Sequence, residues 1–383
     1  WRWLMDWPKP LIFFFSFFED SIARLTGSTQ WQPIWFVLLA VALGGVFSQL
    51  TPAEAGRLLG QTAVLLLTLI EPLVGLGVAL LTGPLGATES SLLDSGQGYL
   101  LLSLLAWLAH GLRQRRIFLP KTFLTVPLLL FLGLAAVSVV GARSYSFGFK
   151  ELLKWIEMVA IMLMVVDRVS LWRGRRQKQA RSTPVFWLLA ALFAAGLSQA
   201  ALGIYQFAFQ PDGPEHFLVL GRFYRAYGTF NQPNPFGGFM NLTAVLALGL
   251  FLNYLPDLWS SRKIKSQRRN FQELAAVWLP LLGVGGVTAV SLLAVIFSWS
   301  RGAWLSLAAA TAVLLFFWPR RLWQGALLLF LGTGLLLLSI QAGLLPDSLA
   351  DRITGFGEDS RFGDVRGEDI NDVNYAVLER LAH

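Results

Sequence analysis

Gly221–Phe239 reads GRFYRAYGTFNQPNPFGGF. It follows one hydrophobic run, 184–208, and leads into another, 233–252. Within it lie two arginines, Arg222 and Arg225, several aromatic residues, a Gly228-Thr229-Phe230 turn and the breaker Asn231-Gln232-Pro233-Asn234-Pro235. A plain tether between two membrane spans needs none of these. Two questions follow: which side of a membrane the segment faces, and what its arginines would hold there.

The composition supports the membrane setting. Of 383 residues, 55% are hydrophobic and only 14% charged, whereas soluble domains run to about a quarter charged. Several apolar runs approach the ~20 residues that a bilayer-spanning helix needs. The fold class expected is therefore all-α, a polytopic transmembrane helical bundle in contact with membrane lipid. A net charge of +8 would point to nucleic acid in a soluble protein. Here the cations sort by loop and report topology instead, so no nucleic-acid partner is expected. With no cysteine, disulfides, thiolate chemistry and Cys-based metal sites are excluded. The three histidines, His110, His216 and His383, are too scattered in sequence to suggest a metal centre, and neither metal nor cofactor is expected. There is no evident cleavable signal peptide, and the chain starts without Met.

Three divisions are read from hydropathy: an N-terminal segment at 1–32, a transmembrane domain at 33–343, and the start of a large loop at 344–383. The first mixes Trp, Phe and charges around a run too short to span, as an interfacial helix does. Spans are expected at 33–50, 98–112, 124–141, 147–166, 184–208, 233–252, 275–298, 303–318 and 322–343. Residues 57–83 fit either one helix with Glu71-Pro72 near its centre or two short helices turning there. The two-helix reading is preferred, because proline disfavours helix at its predecessor and a carboxylate in mid-bilayer is costly. About ten to eleven spans result.

Basic residues cluster in alternate loops: Arg113, Arg115, Arg116 and Lys121; then Arg168, Arg173, Arg175, Arg176, Lys178 and Arg181; then Arg262, Lys263, Lys265, Arg268 and Arg269; then Arg320 and Arg321. Cytoplasmic loops carry such an excess. The remaining loops, including 209–232, 299–302 and everything from about 344 on, fall on the outer face. With two helices in 57–83 the N-terminus is cytoplasmic. The last segment carries nine acids and four arginines and reads as a solvated loop, without the regular spacing of a calcium site. It stops with no closing helix, so the chain is read as C-terminally truncated.

Four side chains are candidates for chemistry. Arg301, in Ser298-Trp299-Ser300-Arg301-Gly302-Ala303-Trp304, sits at the outer edge between two apolar spans. It is either a snorkelling residue flanked by tryptophans or a fixed cation whose planar fork fits phosphate oxygens. Arg222 and Arg225 precede an expected helix start, with Asn231 or Asn234 as its cap. The N–H groups of a helix N-terminus favour an anion; the other reading is an ordinary helix-entry turn. Lys154 belongs to a stripe with Lys150, Glu151 and Glu157, and is either half of a self-neutralising pair or part of a polar cavity. Glu71 and Asp167 are read as interface residues, and His216, in Gly213-Pro214-Glu215-His216, is either a base or, as preferred, an ordinary loop histidine.

Taken together, Arg-x-x-Gly-Thr-Phe-x-x-Pro-Asn (Arg225 to Asn234), then Ser300-Arg301-Gly302-Ala303-Trp304-Leu305, then Asn374 to Ala382 (NYAVLERLA) resemble the O-antigen ligase and O-antigen polymerase family. The resemblance covers most of the chain. It implies a helical bundle with a large periplasmic loop in the bacterial inner membrane. It also implies transfer of a glycan from a polyprenyl pyrophosphate carrier to a lipid or sugar hydroxyl, without metal or cofactor. Arg225 and Arg301 match the arginines that hold the carrier's pyrophosphate, with Arg222 an alternate for the first and Lys154 an assistant. The family's general base is a histidine farther along the large loop. His383 comes too early to match it, so the full-length protein is expected to be an enzyme and this chain inactive. Cyanobacterial relatives labelled as bicarbonate transporters supply the rival expectation, transport of a small anion. Such a protein should show paired broken helices at mid-membrane, and no internal repeat is present.

Overall fold

The computed structural model describes residues 51–85, 96–115, 122–142, 144–175, 184–263 and 271–344, with isolated positions between 37 and 50. The expected interfacial segment 1–32, most of the span 33–50 and the loop from 345 lie outside the described residues. Among those described, ten helices dominate: α1 Pro52–Ile70, α2 Pro72–Thr82, α3 Gly96–Arg113, α4 Thr125–Val140, α5 Tyr145–Arg175, α6 Pro184–Ala208, α7 Pro233–Lys263, α8 Phe271–Phe297, α9 Arg301–Phe317 and α10 Leu322–Gln341. The chain forms two compact units whose boundary falls within α6, at Ala191 and Leu192.

In the first unit, α1 starts at a reciprocal cap. Glu54 N donates to Thr51 Oγ1 at 3.4 Å, and Thr51 N donates to Glu54 Oε2 at 2.9 Å, with Pro52 in the first turn, where its missing N–H costs nothing. The helix ends at Glu71, whose backbone is extended (φ −134°, ψ 100°), and α2 starts on the next residue. In a continuous helix Thr68 and Gly75 would stand about 10 Å apart along the axis. Here a methyl group on Gly75 would fall 2.6 Å from Thr68 Cγ2, so the chain turns sharply at the break and the two-helix reading of 57–83 holds. Ser103 of α3 also lies against Gly75, and Leu73, Leu76, Leu104 and Met164 form the apolar cluster beside it.

Polar contacts fasten this break. Arg168 of α5 donates to both carboxylate oxygens of Glu71, at 3.0 and 2.6 Å. Trp107 Nε1 donates to Asp167 at 2.8 Å, and His110 Nε2 lies 2.8 Å from Leu69 O. Arg168 and Asp167 are buried. Arg168 is therefore a buried partner of Glu71 rather than a solvated loop cation, and Glu71 and Asp167 are both hydrogen-bonded within the unit, since a charge in an apolar surround persists only when paired.

In the second unit, small residues set the helix contacts, as they do in membrane bundles. Gly196 of α6 lies against Thr243 of α7, and Gly203 against Phe236, so these helices run antiparallel. Gly237 of α7 meets Ala303 of α9, and Gly249 meets Leu314, so α7 and α9 run parallel. The core between them is Ala200, Phe236, Met240, Ala294, Val295 and Ala303. Within this helical fold, a short two-stranded hairpin, β1 Leu218–Val219 with β2 Phe223–Tyr224, forms in the loop after α6. Leu220 and Gly221 turn it at φ 56° and 70°, the left-handed pair that such tight turns require.

Five helical stretches, Pro52–Ile70, Pro184–Ala208, Pro233–Leu255, Trp278–Phe297 and Leu322–Gln341, are long and apolar enough to cross a membrane. Large apolar side chains such as Leu134, Phe330 and Leu335 face outward, as a lipid-facing surface does. Length and composition make this an integral membrane protein.

Candidate functional site

The site is built in the second unit, where α7 and α9 begin. Because these helices run parallel, their N-termini lie at the same end. Each such end carries unsatisfied N–H groups and about half a positive charge. The loop 225–232 and the three residues between α8 and α9 join there.

Arg301 is the first residue of α9 rather than part of a loop. Ser300 caps the helix, its side chain accepting from Ala303 N at 3.4 Å. The junction from α8 is tight enough to force Trp299 into the left-handed region, φ 52°, which is an outlier for a bulky side chain. Burial and an edge-on contact with Trp304, at 5.6 Å between ring centroids, hold it there. Trp304 Nε1 reaches back to Val295 O at 3.0 Å and satisfies a carbonyl at the end of α8.

Arg225 reaches this junction from the loop. Its Nε donates to Ser298 O at 3.1 Å and its Nη2 to Asn234 Oδ1 at 3.4 Å. The neighbouring Ala226 N donates to Phe297 O at 2.8 Å. Arg225 is thus tied both to the first turn of α7 and to the residue three before Arg301. Asn241, two turns into α7, donates from Nδ2 to Ala303 O at 2.7 Å and to Ser306 Oγ at 2.6 Å. Since Ala303 O only accepts, the orientation of this amide is fixed. Arg225 and the helix start at Arg301 therefore belong to one junction, and both arginines are half-buried.

The expected caps are placed differently. Asn231 adopts φ 58° and makes the turn before α7, while Asn234 is the second residue of the helix and an acceptor for Arg225. Arg222 takes a separate place on the hairpin: it is exposed, with its guanidinium over the Phe223 ring at 4.3 Å. Phe223 in turn stacks on Phe207, and Phe207 on Phe297. His216 is exposed and sits edge-on against Phe217. Lys154 lies on α5 of the first unit, in a 2.6 Å ion pair with Glu151, which fits the self-neutralising reading.

Two residues that sequence reasoning passed over complete the site. Gln199 and Gln206 stand seven residues apart on α6, hence on one face, and both are buried. Gln206 Oε1 accepts from Tyr227 N and Gly228 N, at 3.0 and 2.7 Å, while its Nε2 donates to Gly228 O at 2.9 Å. Gln199 Oε1 accepts from Thr229 N and Thr229 Oγ1, both at 3.1 Å. The signal available in the sequence was two amides at helical spacing within a predominantly apolar span.

Compared with protein-family models, with curated proteins and with solved structures, the chain matches none.

Proposed function

We propose that this protein is a membrane glycosyltransferase of the O-antigen ligase type. In this reading the junction of Arg225 and Arg301 binds the pyrophosphate of a polyprenyl-linked glycan donor. The bundle has about ten to eleven spans in the bacterial inner membrane, the junction faces the periplasm, and the large loop begins at 344. The reading rests on one observation: two helix N-termini and two arginines, far apart in sequence, meet at one end of the second unit. Such an arrangement suits a diphosphate, since N–H groups and planar guanidinium forks both match phosphate oxygens.

In the transfer, the bond between the sugar's anomeric carbon and the pyrophosphate oxygen breaks as the acceptor hydroxyl oxygen bonds to that carbon. The pyrophosphate leaves with the bonding pair. Fixed cations aimed at that oxygen lower the barrier because the charge develops where they already point. The proton of the acceptor hydroxyl passes to a general base, which the resemblance assigns to a histidine of the large loop.

The test is made in the full-length protein. Arg225→Ala and Arg301→Ala should each lower glycan transfer by on the order of 10²–10³-fold, with lipid-linked donor accumulating and protein abundance unchanged. Unchanged product and donor levels in both variants would reject the assignment.

A further inference from the structure

We infer that Gln206, supported by Gln199, is a positioning residue that fixes where Arg225 presents its guanidinium to the anion. The inference rests on the pyrophosphate-binding reading and adds to it the element that sets the geometry. Five consecutive backbone N–H groups leave the segment Arg225–Thr229, and each has a partner outside it. Arg225 N donates to Phe217 O at 2.9 Å and Ala226 N to Phe297 O at 2.8 Å. Tyr227 N and Gly228 N donate to Gln206, and Thr229 N to Gln199. The segment is neither helix nor sheet, so its peptide groups require such substitutes.

Gln206 serves Gly228 on both sides, accepting from its N–H and donating to its C=O. A primary amide offers a donor and an acceptor side by side in one plane without a charge. The match fixes the peptide planes on either side of Gly228, three residues from the Cα of Arg225. A polar amide within an apolar span is costly unless fully bonded. Gln206 thus either fills its bonds with this loop or destabilises α6, and that ties the loop to one conformation. Fixed side chains hold a cation at the reacting centre better than a mobile loop does, because the ordering is completed before the ligand arrives.

The experiment uses the full-length protein in lipid nanodiscs and farnesyl diphosphate as the probe. Dissociation constants are measured for the wild type, Arg225→Ala, Gln206→Met and the double variant. Methionine keeps the volume and removes the hydrogen bonds. Gln206→Met and Arg225→Ala are each expected to weaken binding by about tenfold or more, and the double variant to bind no more weakly than Arg225→Ala alone, the mark of two residues acting through one contact. Losses that multiply in the double variant, or a Gln206→Met protein that binds like the wild type, would overturn the positioning role and leave the pyrophosphate reading standing. A wild type that does not bind farnesyl diphosphate would instead remove that reading, and this inference with it. If Gln206→Met does not accumulate as folded protein, Gln199→Met, which removes only the Thr229 contacts, enters the same cycle and decides by the same criteria.

Discussion

Gly228 meets two demands at once. Its φ of 55° is one that side chains rarely adopt, and a methyl group there would fall 2.6 Å from Gln199 Oε1 and 2.7 Å from Phe236 Cδ2. The left-handed backbone alone costs an alanine ~1–2 kcal/mol, and the contacts add to that. Gly228→Ala should therefore lower the melting temperature in detergent measurably, by about 2–4 °C per kcal/mol if the second unit unfolds as a domain of roughly 150–250 residues. A variant melting within a degree of wild type would show that the loop is not held as described. Trp299 bears the same kind of strain without glycine's freedom, at φ 52°. Burial and the Trp304 contact compensate for it, and the strain stands immediately before the cap of the helix that carries Arg301. Strained residues recur at ligand-binding positions because the surrounding packing over-determines them.

At the scale of elements, the break between α1 and α2 shows what local patterns carry and what they omit. Glu71-Pro72 marks the break in the sequence itself, since proline removes an N–H and restricts its predecessor. The charge that answers Glu71 lies 97 residues away, and by hydropathy it looked like one more cytoplasmic anchor. Removing a partner from a buried ion pair leaves an uncompensated charge, so Arg168→Ala should destabilise the protein by ~3–5 kcal/mol. The exposed anchor Arg320 should tolerate alanine to within about 0.5 kcal/mol. Equilibrium unfolding of the two variants in mixed micelles compares them, and equal small losses would show that the Glu71–Arg168 pair contributes little. Helix lengths carry a related lesson. α5 and α7 each run 31 residues, about 46 Å, well beyond the expected spans at 147–166 and 233–252. Hydropathy stops where charge begins, whereas backbone hydrogen bonding continues through the charged residues beyond it.

For the whole molecule, the alternation of basic loops in the sequence predicts an orientation for the helices, and the prediction can be tested directly. The chain has no cysteine, so single substitutions report without background. Asp212→Cys, in the exposed segment after α6, should react with a membrane-impermeant maleimide in intact cells, whereas Gln114→Cys, in the exposed turn after α3, should react only after permeabilisation. The reverse pattern would place the Arg225–Arg301 junction on the cytoplasmic side and end the periplasmic reading. By itself the sequence determined the membrane class, the places of most helices and the two arginines worth following, because hydropathy, proline and charge act through neighbours along the chain. It did not reveal that Arg225 touches Ser298, 73 residues on, that Arg301 opens a helix parallel to α7, or that Gln199 and Gln206 supply the partners of the loop between. Those depend on which glycines let helices approach and which buried polar groups must then find one another, conditions that exist only once the second unit has packed.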